Sequence, residues 1–355
     1  MACDSFREAE EADAFPLLQT TSIVHTIGQG FCGTVWASEK GPAFKREDGG
    51  PDRSLKNEFD MHQRALQSLR KITTLQIRIP ACYGFIEVNN QKWWVKNHQI
   101  FPPGFWAPCN MIQSQRIPPF PGHVRGLLIK NYCPPNLRQE IITSEPNKDC
   151  LVRPYLGRRR TKKGYSTSRF TAFSLRNFPL HLDQIETLMT ANDIMQYARV
   201  MAETLAMMHW IGEMDGNDIE FVLAPPVRDS CYEKHSEGIT RASLSNGLKV
   251  DSDALGSHSM WALDFDLCRR ITMDSKGVQQ AAAAFWRNDP YYPRPSKNSE
   301  NEIALWFAFK EHYLRMSEAC IDIACTTYEP QEVEKLRALP KQVIGLIEQR
   351  GDSKT

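Results

Sequence analysis

The stretch Gly28-Gln29-Gly30-Phe31-Cys32-Gly33-Thr34-Val35 has the form G-x-G-x-x-G-x-V, and its neighbours decide how it is read. Glycines at these places let a backbone lie close over phosphate groups, with amide N–H dipoles supplying positive potential where side chains would clash. A dinucleotide-binding fold would need a helix opening at Gly30 and an acid about 20 residues further on. Here Thr34-Val35-Trp36-Ala37 continues as a strand, and Glu39-Lys40-Gly41-Pro42 reads as a turn. Three short strands over 20–46 follow, and the glycines become a phosphate-covering β-hairpin. The period then changes. Leu55, Phe59, Met61 and Leu66, with charges between them, predict an amphipathic helix over 54–69 with Ser54 as its N-cap.

A phosphate hairpin of the protein-kinase type needs a lysine on the next strand to reach the phosphates and a glutamate on the following helix to hold it. Ala43-Phe44-Lys45 and Glu58 stand in that order. Read singly, each is an ordinary surface charge; the order after the glycines gives them roles. Beyond a long apolar segment, Asp215-Gly-Asn-Asp-Ile-Glu220-Phe-Val-Leu223 supplies an acid, a metal ligand five residues later and an apolar strand. Trp261-Ala-Leu-Asp264-Phe-Asp266 repeats a carboxylate at a strand end. Two such carboxylates across one cleft suit magnesium held on a nucleotide's phosphates. The expected site is therefore Gly28, Gly30, Gly33, Val35, Lys45 and Glu58 around ATP, with Glu220 and Asp264 on Mg. Asp215 would orient or accept the proton of an acceptor hydroxyl.

Composition bounds these readings. The chain has 355 residues, with 43 Lys and Arg against 42 Asp and Glu, 41% hydrophobic and 24% charged residues. That is enough for two domains or one bilobal unit, and it excludes a small binding module, a disordered chain and a nucleic-acid-coating one. No apolar run approaches the 18 or so residues of a membrane span. The start, with Asp4, Glu8, Glu10, Glu11 and Asp13, reads as a flexible acidic tail over 1–20. Ten cysteines are scattered without a C-x-x-C pair or zinc-type Cys/His spacing, so no structural zinc is expected. Reduced thiols of this kind point to the cytoplasm or nucleus.

Further along, strands are expected at Ile79–Val88, Trp93–Val95 and Val124–Ile129, the last ended by Pro134-Pro135. Phe101 to Pro121, rich in proline and aromatics, reads as an ordered surface insertion within about 96–122. Residues 153–169 carry Arg153, Arg158, Arg159, Arg160, Lys162, Lys163 and Arg169 and no acid. A solvated basic loop is the reading for them, because one run carries no groove geometry, and nucleic acid is not expected as a partner. Residues 192–209 predict a long buried helix whose methionines fill core. Apolar runs at 219–223 and 260–263 flank a polar loop over 228–257, and helices follow at 279–286, 302–323 and 332–349. The single Cys231 and His235 pair in that loop is read as incidental. Strands first and helices afterwards give an α+β chain with a β-rich lobe at 21–135 and a helical lobe at 136–355.

Over roughly residues 22–320 the chain resembles the protein-kinase-like and aminoglycoside-phosphotransferase-like fold, a bilobal architecture with the nucleotide between its lobes. It departs from that pattern in three places. Glu213-Met214-Asp215 replaces the usual His-Arg-Asp or His-Gly-Asp, Glu220 replaces the ligand asparagine, and Asp266 replaces the glycine of Asp-Phe-Gly. No Ala-Pro-Glu ends an activation segment. Glu220 can still bind a cation, and its extra charge alters metal preference. Further motifs are Ile79-Pro-Ala-Cys-Tyr-Gly-Phe85, Leu151-Val-Arg-Pro-Tyr-Leu-Gly157, Ser174-Leu-Arg-Asn-Phe-Pro179, Asp218-Ile-Glu-Phe-Val-Leu223, Leu263-Asp-Phe-Asp266 and Asn288-Asp-Pro-Tyr-Tyr-Pro293. These resemble the fungal domain-of-unknown-function family 3669, whose members are often labelled zinc-finger proteins. That resemblance implies an intracellular fungal protein without an assigned activity. Arg153, Arg176 and Asn177 are either part of that family's own site or satisfied interior polar groups.

Two expectations stand side by side. One is an ATP- and Mg-dependent phosphotransferase whose acceptor, a small molecule or a protein, is not legible. The other is a kinase-like scaffold or nucleotide-binding regulatory protein in which the altered loop no longer transfers phosphate. A nucleic-acid-associated regulator rests only on the basic run and the family label.

Overall fold

A computed structural model describes residues 17–30, 33–49, 54–160, 173–226, 249–288, 290–295, 299–326 and 328–352. The β-branched and aromatic runs around the glycines form β1 (His25–Gln29), β2 (Thr34–Ala37) and β3 (Ala43–Arg46). With β4 (Cys82–Ile86) and β5 (Met111–Ser114) they make an antiparallel sheet in the order β1-β2-β3-β5-β4. Strand alternation sends Phe44 onto an apolar layer with Trp36 and Phe101, and Lys45 to the opposite face. After β3, α1 (Leu55–Arg70) starts where the Ser54 hydroxyl accepts the Asn57 amide at 3.2 Å.

A second sheet contains β6 (Val152–Tyr155), β7 (Phe178–His181), β8 (Glu220–Ala224), β9 (Val250–Ser252) and β10 (Gly256–Leu263), in the order β7-β6-β8-β10-β9. β6 and β7 are parallel; the other pairs are antiparallel. The remaining helices are α2 (Gln91–Asn97), α3 (Gly122–Tyr132), α4 (Arg138–Thr143), α5 (Leu182–Leu188), α6 (Ala191–Trp210), α7 (Ser275–Arg287), α8 (Glu300–Ala324) and α9 (Pro330–Asp352). The fold is thus α+β, with two sheets and nine helices among the described residues. None of these helices is long and apolar enough to cross a membrane.

Every residue from Val200 to Trp210 is buried, so the second half of α6 is core on all sides. Burying each large side chain there stabilises by about 1.5–3 kcal/mol, which no solvated helix would gain. Its polar groups are matched by α8. The Trp210 indole donates to the Ser317 hydroxyl at 2.8 Å, and His209 Nδ1 lies 2.8 Å from the Tyr313 hydroxyl. The segment leading into β4 is tied to the second sheet at Arg78, whose amide donates to the Met260 carbonyl at 3.0 Å and whose carbonyl accepts from Ala262 at 2.8 Å. One apolar core runs from Leu55, Ile79 and Ile112 to Met260 and Phe265. A cleft lies between the sheets, with α1 along it.

Several expectations need correction. Trp93–Val95 is not a strand but the middle of α2, capped by the Asn90 side chain, which accepts the Trp93 amide at 3.1 Å. Val124–Ile129 is likewise helical, in α3. Val124, Leu128 and Ile129 are buried while Gly126 is exposed, the helical spacing that a short apolar run conceals. The segment Phe101–Pro121 is not confined to the surface, since it contains β5, inserted between β3 and β4 with Met111, Ile112 and Gln113 buried. Pro134-Pro135 follows a helix rather than a strand and enters a 3-10 turn at Pro135–Leu137. The second half of the chain is not purely helical, because β6 and β7 build a sheet there, and Val250–Ser252 and Gly256 onward, placed in the polar loop, are strands. Most of that loop, with Cys231 and His235, lies outside the described residues, as do 1–16 of the acidic tail.

Candidate functional site

The hairpin is shaped by backbone demands. Gly28 faces Val35 and Gln29 faces Thr34 across the β1–β2 ladder, and the Gly30 amide donates to the Gly33 carbonyl at 3.0 Å. Gly33 has φ +147°, and a Cβ there would sit 1.8 Å from the Arg46 carbonyl oxygen. Only glycine fits. Next to it, Asp48 accepts both the Thr34 amide and the Thr34 hydroxyl at 2.6 Å, fastening the turn to the end of β3. Gly30, by contrast, would meet nothing within 4 Å if it carried a Cβ. Phe31 and Cys32 lie outside the described residues.

Under this hairpin, Lys45 of β3 reaches Glu58 Oε2 of α1 at 2.7 Å and Asp264 Oδ1, just beyond β10, at 2.8 Å. The lysine and glutamate side chains are 16% and 8% exposed and Asp264 is 31% exposed, so the aspartate is the member open to the cleft. Burial alone would discharge Lys45, but the Asp264 and Glu58 carboxylates outweigh it and hold the ammonium well above its usual range. Glu58, desolvated and sharing that cation with Asp264, is pushed up to about 7 despite the attraction of Lys45.

α1 is held in this position by contacts across the cleft. The Asn57 amide group donates to the carbonyls of Asp266 at 2.8 Å and Cys268 at 3.2 Å. His62 stacks on Phe265 with ring centres 5.1 Å apart, its Nε2 lies 2.7 Å from the Pro80 carbonyl, and burial lowers its pKa to about 4. Arg64 donates to Glu213 at 2.9 Å.

The floor comes from the second sheet. Arg153 on β6 donates to Glu220, at the start of β8, at 2.5 Å. Burial pushes Glu220 up to about 7 against the pull of Arg153. Asn177 and Asp218 also line the cleft, with φ +48° and +62°, and Asp264 has φ +64°. Three non-glycine residues in the left-handed region around one cavity is a concentration of backbone cost found at functional sites. The cavity measures about 610 Å³. Outside the cavity lining, Arg176 donates to the Thr26 carbonyl in β1, and His25 lies 3.3 Å from Asp149, which Arg116 also holds at 2.7 Å.

Of the residues singled out in the sequence, Gly28, Gly30, Gly33, Val35, Lys45, Glu58, Glu220 and Asp264 all line this cavity. Asp215 does not. It is 2% exposed; its Oδ1 accepts the amides of Asn217 at 3.1 Å and Arg269 at 3.0 Å, and its Oδ2 accepts from Gln280 of α7 at 2.9 Å. Three residues later Asp218 takes the position facing the cleft. His62 and Gln115 were not singled out in the sequence, and Asp218 stood there only inside quoted motifs without a role of its own; no local signal marks the three as cleft residues. The described part of the basic run is engaged internally. Besides Arg153, Arg159 pairs with Glu186 and Glu302 at 2.6 Å and Arg160 with Asp183 at 2.8 Å. Lys162, Lys163 and Arg169 lie outside the described residues.

Among the described residues no group of three or more His, Cys, Asp or Glu side chains is arranged to hold a metal ion, and the seven described cysteines are free. A cation in the cleft would therefore depend on Asp264 together with oxygens of a ligand and water.

Searches of curated proteins and of solved structures give no match to the chain. Residues 260–324, from the end of β10 with Asp264 and Asp266 through α7 to the end of α8, match the model of domain-of-unknown-function family 3669, described as "Zinc finger protein", and over this stretch the chain is similar to that family.

Proposed function

We propose that the cleft is a nucleotide site of the protein-kinase-like type, with the two sheets in its small and large lobes, and that the ligand is ATP with Mg. One observation carries this reading: the Lys45 ammonium is held between Glu58 at 2.7 Å and Asp264 at 2.8 Å beneath the glycine hairpin. Such a lysine is placed to meet phosphate oxygens, with the helix glutamate fixing its direction. The hairpin amides supply further positive dipole, and Asp264 would hold the metal. A volume of about 610 Å³ lies within the range of small-molecule sites. Charge supports the metal. The lining holds Glu58, Asp218, Glu220, Asp264 and Asp266 against Lys45 and Arg153, so a bare polyphosphate is repelled and a cation-complexed one is accepted.

The role that follows best is a nucleotide-binding regulatory or scaffold protein, because Asp215, the residue expected to serve the acceptor, is locked in the interior. A phosphotransferase reading draws on one observation, that Asp218 faces the cleft near Glu220 and Asp264.

Thermal unfolding with ATP and Mg tests the first reading. A hundredfold excess over the dissociation constant should stabilise by about 2.7 kcal/mol, a rise of several degrees, lost on adding EDTA. No shift up to millimolar ATP with Mg rejects the nucleotide site. Single-turnover release of ADP, abolished in Asp218→Asn, would decide for transfer; bound ATP that stays intact decides for a regulatory role.

A further inference from the structure

Glu220 stands where a kinase-like site carries a neutral asparagine for a second metal ion. If it served the same purpose here, its carboxylate would be available to the cleft. It is not. Arg153 Nη2 donates to Glu220 Oε2 at 2.5 Å, with the two side chains 22% and 19% exposed. Arg153 is fixed on β6, the strand next to β8, and not on a mobile loop. A partly desolvated carboxylate that already has a charge-assisted hydrogen bond gives it up to a dilute ion only at high cost, since the guanidinium would then be left buried and unpaired. Glutamate paired with arginine has the same net charge as the neutral amide, so the exchange removes a metal ligand without adding a net charge that would attract a second cation.

We infer that Arg153 keeps a second metal ion out of this cleft by occupying Glu220: Glu220 binds no metal, and the site takes a single divalent cation at Asp264. The inference rests on the reading proposed above, since a cation at Asp264 needs oxygens of a bound ligand besides that carboxylate.

The test titrates the full chain with Mn²⁺, first alone and then with saturating non-hydrolysable AMP-PNP, counting bound ions by electron paramagnetic resonance. With AMP-PNP one ion per chain is expected, lost in Asp264→Asn. Glu220→Gln should change Mn²⁺ affinity by less than about twofold, whereas loss of a true ligand weakens it at least tenfold. Arg153→Gln should free Glu220 and raise the count to two, and Arg153→Gln with Glu220→Gln should return it to one. Two ions in the unmodified chain, or a tenfold weakening in Glu220→Gln, would overturn the inference. The Glu220→Gln result decides even if Arg153→Gln fails to fold. Failure of the nucleotide reading has a different signature: AMP-PNP then changes neither the Mn²⁺ signal nor the melting temperature of the unmodified chain or of any variant, and the inference falls with it.

Discussion

Lys45 and Asp264, 219 residues apart in the chain, meet at 2.8 Å, and Glu58 completes the contact from α1. The ion pair spans the cleft, so Lys45→Met should remove both a ligand for phosphate and a tie between the sheets. ATP-dependent stabilisation should disappear, and the ligand-free protein should lose about 1–3 kcal/mol, because two carboxylates lose their buried cation. Calorimetry with and without ATP and Mg separates the two effects.

Buried Glu58 gives this region a pH signature. Its pKa rises from 4.5 to about 7 in the folded chain, so between those values the folded state binds more protons than the unfolded state. That contribution to stability is present at low pH and is lost as the pH rises through about 7. His62 and His209, lowered from 6.5 to about 4 by burial, act in the opposite sense between 4 and 6.5. The informative quantity is therefore the difference between Glu58→Gln and the unmodified chain. The variant should gain relative stability steadily as pH increases from 4.5 to 7. A flat difference in urea unfolding midpoints would contradict the assignment.

Asp215 is buried with both carboxylate oxygens engaged by neighbouring groups. Asp215→Ala should leave the amides of Asn217 and Arg269 without their acceptor and cost about 1–3 kcal/mol. The affinity for ATP should stay unchanged in the fraction that folds. A loss of binding at unchanged melting temperature would place Asp215 in the site after all.

Two glycines of one motif should behave differently. Gly33→Ala would drive a Cβ to 1.8 Å from the Arg46 carbonyl at a φ of +147°, and should destabilise by about 1–3 kcal/mol. Gly30→Ala meets open space, so its melting temperature should be that of the unmodified chain while ATP binding weakens. Equal melting temperatures for both variants would show that the hairpin adapts.

Much of the site is legible before folding because its signals are local. Glycine spacing, the lysine on the next strand, the Ser54 cap and the apolar run of α6 each reflect interactions within a few residues, and those survive in the folded chain. Tertiary structure decided the rest. Asp215 and Asp218 are equivalent as sequence; left-handed backbone at Glu213, Gly216 and Asp218 turns one carboxylate into the core and the other toward the cleft. Ile112 and Gln113 are a strand only because β3 and β4 flank them, and Val124 to Ile129 become a helix only because one face has a core to cover. Arg153 reads as one cation in a basic run until β6 is laid beside β8 and Glu220 claims it. Pairings between distant segments carry no periodic trace in the chain, and in this protein such pairings determine which charged groups face the cavity.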